Sequence, residues 1–303
     1  CLGLDGNQKS KVETLSAFMN KYVNSAYYDD ALYEQAEAYM KLGQNDKAIS
    51  NYKNIIDNYK SSSYVKKALL QYALLEYNEK NIDRALAMYK GIVEQYPGSQ
   101  ESVTALSMIQ NIYRKKNDID EFSSYLKQIG GYNDITEAHL DSLSYESAMD
   151  VYSDEQYDKA ITLYKNYLQK YGDGFFKINV HYYLGECLFN RGHQTDAMPH
   201  FEYVVANGKQ FLSSDYNEAL QKLFVCYNKC ALYSKTKTLF EKFSENDFEK
   251  EVYLTMCLHY GNACAALNKK NEAYAAYSRL LENRTESPAS AEKTDKIPVS
   301  GID

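Results

Sequence analysis

Two cysteine pairs are the first place to look for chemistry. Cys226 and Cys230 stand four residues apart and Cys257 and Cys264 seven apart, separations that put both members of a pair on one face of a helix. Four thiolates so arranged form a conceivable tetrahedral metal site. Packing is the reading adopted instead, because Cys257 and Cys264 fall on core positions of the repeat derived below, and free cysteine is among the most buried residue types. The five histidines are scattered. His193 and His200, seven apart across a turn and a helix, could approach each other, and a solvated turn and helix surface is the alternative adopted. No nucleophile elbow, phosphate loop, dinucleotide fingerprint or HExxH motif occurs, and no Ser or Cys with a spaced His escapes the repeat register. The expectation is a chain with no catalytic residue, no metal ligand and no cofactor.

The elements that must position anything else are read from composition and period. Of 303 residues only 4 are Pro and 14 are Gly, so helix breakers are scarce. Apolar residues make up 45% of the chain, enough for a substantial core, yet no run of about 18 apolar residues exists to span a membrane. Tyrosine is the anomaly, at 31 residues against 11 Phe and no Trp. Its ring packs while its hydroxyl still hydrogen-bonds, which suits recognition surfaces. The formal net charge of -7 comes without a long single-sign block. Nucleic acid is therefore not an expected partner.

A residue followed four positions later by an aromatic or Leu recurs along the chain. The anchors are Ala48, Ala85, Phe122, Ala160, Ala197, Thr236 and Ala273, separated by 37, 37, 38, 37, 39 and 37 residues, a mean of 37.5. Four after them come Tyr52, Tyr89, Leu126, Tyr164, Phe201, Phe240 and Tyr277, and seven after come Ile55, Ile92, Ile129, Tyr167, Val204, Phe243 and Leu280. The 0, 4, 7 spacing is one helix face. Two before each anchor, Asp46, Asp83, Asp120, Asp158, Thr195, Ser234 and Asn271 are expected to cap the start of that helix. Twelve before lie mostly small residues, Ala36, Ala73, Gln110, Ala148, Gly185, Phe224 and Gly261, marking a second helix that its partner approaches closely. Each repeat is then an antiparallel helix pair, with Gly43 or Gly192 where the turn needs a left-handed residue.

Small residues twelve apart, Leu before the first and an aromatic after the second, resemble the tetratricopeptide repeat. The resemblance covers residues 29–283, with the third and sixth repeats degenerate. About three residues per unit are added before each first helix, at Tyr22–Tyr28, Tyr59–Val65 and Tyr96–Ser102. In this the chain is similar to the longer-turn repeats of bacterial envelope proteins such as TolA-binding periplasmic proteins and the lipoprotein BamD. The resemblance implies an all-α, right-handed superhelical solenoid of about seven helix pairs plus an N-terminal half repeat.

The expected organisation is a half repeat at 1–28, repeats 1–3 at 29–131, repeats 4–7 at 132–284, and an extended tail at 285–303. In the repeat register Cys1-Leu2 falls mid-helix, which reads as a truncation point; a lipidated N-terminal cysteine is the other reading. Gly130-Gly131 is a helix C-cap or a hinge. In the tail Ile297, Val299 and Ile302 could cover the last repeat or dock on a neighbour.

The resemblance further implies that first helices line a concave, partner-binding face. Its non-core residues would be Tyr33, Glu37, Met40, Leu70, Leu74, Tyr77, Asn78 and Asn111, followed by Tyr145, Met149, Tyr152, Tyr182, Glu186, Phe189 and Asn190. Tyr and Phe would hold an extended peptide by stacking, with Asn78, Asn111 and Asn190 bonding its backbone; packing between repeats is the competing reading for each tyrosine. The carboxylate clamp of chaperone-binding tetratricopeptide proteins does not match, since Tyr33 and Glu37 stand where Lys and Asn are needed. The expectation is a non-catalytic scaffold binding a protein or peptide segment in the bacterial envelope, periplasmic or outer-membrane associated, without direct membrane insertion. Self-association is a further possibility. The alternative is the spacer or regulatory region of a longer chain whose upstream part carries the activity.

Overall fold

In the computed structural model of the chain, residues 7–132, 135–210 and 213–285 are described. Cys1 and the tail residues Ile297, Val299 and Ile302 lie outside them. Among the described residues the regular elements are fifteen α-helices and one 3-10 turn. The first compact unit ends at Thr136 and holds α1 (Gln8–Lys21), α2 (Tyr28–Lys41), α3 (Asn45–Asn58), α4 (Val65–Asn78), α5 (Ile82–Gln95), α6 (Gln100–Lys116) and α7 (Ile119–Ile129). The second begins at Glu137 with α8 (Glu137–Ser153), α9 (Tyr157–Lys170), α10 (Lys177–Asn190) and α11 (Gln194–Asn207). It continues through α12 (Ser213–Lys229), α13 (Tyr233–Phe240), α14 (Lys250–Ala266) and α15 (Lys270–Thr285). Within each unit the helices that pack well are chain neighbours or next neighbours, so each unit is a stack of helix pairs whose packing is nearly one-dimensional. No helix is long and apolar enough to cross a membrane, among the described residues.

The repeat register predicts the core. Ala48, Ala85, Phe122, Ala160, Ala197 and Thr236 are fully buried, as are Tyr52, Tyr89, Tyr164 and Phe201 four residues on. The close approach is visible at two glycines: a Cβ on Gly185 would lie 2.7 Å from the Phe201 ring, and one on Gly261 2.6 Å from that of Tyr277. The aromatic of the second helix thus fills the space left by the small residue of the first. Where Phe224 takes the small position the pair weakens. Its second helix, α13, runs only from Tyr233 to Phe240 and is followed by a 3-10 turn, Glu245–Asp247. In the third repeat Phe122 replaces the small anchor, and α7 is shortened to 11 residues.

One polar knot ties the first three helices. Gln35, 4% exposed, donates to Ser16 Oγ at 2.7 Å and Val12 O at 3.2 Å and accepts from Asn51 Nδ2 at 2.9 Å. Every polar atom of that buried amide thereby has a partner.

The turn inside each pair is the same seven times. The residue five before each anchor has positive φ: Gly43, Lys80, Asn117, Glu155, Gly192, Ala231 and Asn268. Its N–H bonds back three residues and the next N–H bonds back five, as in Gly43 N to Met40 O and Gln44 N to Tyr39 O, or Lys80 N to Tyr77 O and Asn81 N to Glu76 O. That is the Schellman ending. It also corrects the expected caps. The second helices begin one residue before Asp46, Asp83, Asp120, Asp158, Thr195, Ser234 and Asn271, so these side chains lie within the first turn. There the carboxylates act on the positive end of the helix dipole. Among the described caps of these helices, only Asp118 accepts a side-chain bond, from Glu121 N at 3.2 Å.

Left-handed backbone costs an L-residue about 1–2 kcal/mol, part of which returns as glycine's extra unfolded-state entropy. Lys80→Gly, Glu155→Gly and Ala231→Gly are therefore each expected to stabilise by about 0.5–1 kcal/mol, and Gly43→Ala to destabilise by a similar amount. Equilibrium denaturation of the four variants measures this, and a loss of stability in all three glycine variants contradicts it.

Candidate functional site

The first helices α2, α4 and α6 carry the candidate residues of the first unit. Tyr33 on α2 is half-buried, its ring stacked on Tyr64 at 4.7 Å and 5.8 Å from that of Tyr52. Glu37 Oε1 accepts the Tyr52 hydroxyl at 2.7 Å, and Met40 Sδ lies 3.1 Å from the same hydroxyl. Burial, and then Glu37, raises the Tyr33 phenol pKa. These residues serve the core tyrosine as much as they face outward. On α4, Leu70, Leu74 and Tyr77 are half-buried and Asn78, its last residue, is exposed. Lys115 donates to the Tyr77 hydroxyl at 3.2 Å. Asn111 on α6 is half-buried.

The hydroxyl of the aromatic after the anchor meets the residue eleven before it. Tyr52 donates to Glu37, Tyr164 to Met149 Sδ at 3.1 Å and Tyr277 to Asn262 Oδ1 at 2.8 Å. In the second pair that position is Leu74, which offers no acceptor. The Tyr89 hydroxyl is accordingly buried without a partner, and burial pushes its pKa up to about 12.

In the second unit α8 and α12 both pack against α10. Tyr145 is stacked almost parallel on Phe176, centroids 4.3 Å apart, and the Tyr152 ring lies 4.9 Å from Tyr183. Tyr182, Glu186 and Phe189 of α10 come together with two residues of α12. The Tyr182 hydroxyl donates to Glu218 Oε2 at 2.9 Å, and Lys222 bridges Glu218 Oε1 at 2.7 Å and Glu186 Oε2. Its ammonium also lies 5.7 Å from the Phe189 ring centroid. Glu186 is only 4% exposed, and burial raises its carboxyl pKa despite the lysine. Asn190 ends α10 and is exposed.

Sequence reasoning missed Glu218 and Lys222 because their repeat is degenerate at its small position, so no face residue was taken from α12. It also missed Phe175, 88% exposed. The loop bearing that ring is fastened from below: Asp141, 6% exposed, accepts the Tyr167 hydroxyl and the Phe175 N–H at 2.8 Å, while Tyr167 Oη accepts Phe176 N–H at 3.1 Å.

The histidines pair differently from the sequence reading. His193 lies exposed at the start of α11, 3.9 Å from Asp196. His200 instead meets His181 of α10, Nδ1 to Nδ1 at 2.9 Å, with Tyr203 stacked on His181 at 4.0 Å. One ring must donate and the other accept, so at most one of the two can carry a proton on both nitrogens. Burial lowers each pKa to about 4, helped at His181 by His200 and Lys177 and at His200 by Lys165, against Asp196. Cys226, Cys257 and Cys264 are buried, and burial pushes the Cys226 thiol up to about 12. Among the described residues no group of three or more His, Cys, Asp or Glu could hold a metal ion.

Residues 30–62 and 67–99 match the sequence profile of the tetratricopeptide repeat. The match falls on the first two helix pairs. The other pairs keep their register. The solved structures similar to this chain include a tetratricopeptide repeat protein from Parabacteroides merdae, 15% identical, covering 86% of this chain and 94% of that one, with a TM-score of 0.40. Another is the C-terminal part of a TPR repeat-containing protein from Cytophaga hutchinsonii, 13% identical, covering 95% of both chains, TM-score 0.37. A third is YrrB, described as a TPR protein with an unusual peptide-binding site, 14% identical, covering 78% of this chain and 93% of that one, TM-score 0.36. No curated protein matches the chain.

Two measurements follow from the polar pairs. Tyr52→Phe removes a bond to a carboxylate and is expected to cost about 1–2 kcal/mol, whereas Tyr89→Phe removes an unpartnered hydroxyl and is expected to be neutral or stabilising; chemical denaturation of the two variants separates them. For the histidines, the folded pKa lies below the unfolded one, so the unfolded chain binds more protons between about 6.5 and 4. Stability is complete above that window and is lost as pH falls through it. The melting temperature is expected to fall by about 3–6 °C more between pH 7 and pH 5 in the wild type than in His200→Gln.

Proposed function

We propose that the chain is a non-catalytic scaffold that binds a partner protein through a peptide segment laid on the faces of its first helices. The observation that carries this reading is the aromatic and carboxylate surface of α8, α10 and α12, where half-buried rings and a lysine-bridged pair of glutamates share one face. Stacked helix pairs offer extended surface rather than an enclosed cleft, and aromatic side chains on such a surface dominate the energetics of recognition. The face residues are Tyr145, Met149, Tyr152, Tyr182, Glu186, Phe189 and Asn190 in the second unit. In the first they are Tyr33, Glu37, Met40, Leu70, Leu74, Tyr77, Asn78 and Asn111. An envelope location is supported by the longer turn before each first helix, which resembles the repeats of envelope proteins.

Affinity capture, run separately on soluble and envelope fractions, tests both statements. Tyr77→Ala, Tyr152→Ala and Phe189→Ala, combined in one variant shown by circular dichroism to stay helical, is expected to lose a partner that the wild type retains from the envelope fraction. A partner held equally by the variant overturns the binding face. One found only in the soluble fraction overturns the location and leaves the face standing.

A further inference from the structure

In the second unit Glu186 and Glu218 share a single lysine, Lys222, while the Lys229 ammonium lies 6.0 Å from the Phe189 ring centroid without an ion pair to either glutamate. Glu186 is nearly fully buried, and while its Oε2 meets Lys222, its Oε1 has no hydrogen-bond partner among the described residues. A buried carboxylate oxygen left without a donor is costly. Lys222 is shared with Glu218, so two carboxylates meet one ammonium. Glu218 is itself half exposed and opens the cluster to solvent beside the Phe189 ring. The imbalance extends beyond the cluster. From residue 137 onward the sequence has 18 Lys and Arg against 24 Asp and Glu, a net charge of -6, which leaves only -1 of the chain's -7 for residues 1–136.

We infer that the partner segment bound by the second unit is basic, and that it places an arginine or lysine side chain against Glu186 and Glu218 between the rings of Tyr152 and Phe189. The inference rests on the binding-face reading above and names the chemistry of its ligand. A guanidinium suits the place best, because its planar fork gives several donors to carboxylates while its face stacks on aromatic rings. Such a side chain, entering at the exposed Glu218, would balance the second negative charge of the cluster and free Lys222 for the buried Glu186, which a neutral or acidic segment cannot do. Attraction between the acidic unit and a basic segment would also weaken with salt.

The test is a selection of random twelve-residue segments displayed on phage against the whole chain, followed by fluorescence anisotropy with the synthetic peptides enriched. Arg or Lys is expected at a fixed place in the enriched segments. Glu218→Gln, a variant that keeps its shape and leaves Lys222 paired with Glu186, is expected to weaken their binding about ten-fold. Glu186→Gln serves as the second variant, with circular dichroism confirming its fold. Enriched segments without a basic residue, or affinity unmoved in both variants, overturn the basic-segment inference. If those same segments are released by Tyr152→Ala with Phe189→Ala, the binding face survives that failure; if no segment is enriched, both readings fall.

Discussion

An aromatic ring pressed against a residue with little or no side chain is the contact on which the helix pairs depend. Phe201 with Gly185 and Tyr277 with Gly261 show it directly, and the buried residues Tyr52 and Ala36, and Tyr164 and Ala148, stand at the same offset. The glycine cases show how little room there is: even a methyl group at Gly185 would enter the Phe201 ring. Buried aromatic area supplies the main favourable term. Shape then decides which pairs are strong. Where both positions are bulky, as with Phe224 opposite Phe240, the rings meet edge to face at 6.5 Å and the second helix shortens.

The same contact has a polar side that the candidate face inherits. A tyrosine at the packing position carries its hydroxyl through to the first helix's outer side, where Glu37, Met149 or Asn262 receives it. Residues chosen as recognition residues are thus also the polar ends of the core. A substitution at Glu37 therefore disturbs the Tyr52 hydroxyl as well as the surface. Leu74 shows the opposite compromise: the second pair gives up the acceptor and gains apolar surface.

Much of this was legible in the sequence because it is periodic. The anchors, the small residues and the aromatics lie at fixed offsets within one pair, and helical geometry converts those offsets into contacts. The left-handed turn was legible only at Gly43 and Gly192. Lys80, Glu155 and Ala231 carry no side-chain signal for positive φ and adopt it because the two helices they join impose it. The clusters of the site were not legible. Glu186 with Lys222 and His181 with His200 join residues 36 and 19 apart, and whether such side chains meet depends on how long each is and which way it leans, not on the register of either helix. His193 stands just before α11 near Asp196, whereas His200 within the helix meets His181, which spacing alone does not reveal.

The loop that carries Phe175 holds its ring in the solvent while its backbone is tied to Asp141 and Tyr167. Gly174 beside it has no space for a side chain, since a Cβ would come within 2.5 Å of the Tyr167 hydroxyl. A freely moving loop surrenders many conformations when something touches it, and that loss is subtracted from the affinity. Here most of the surrender was made when the chain folded, so a contact at Phe175 would begin with its entropy cost largely settled.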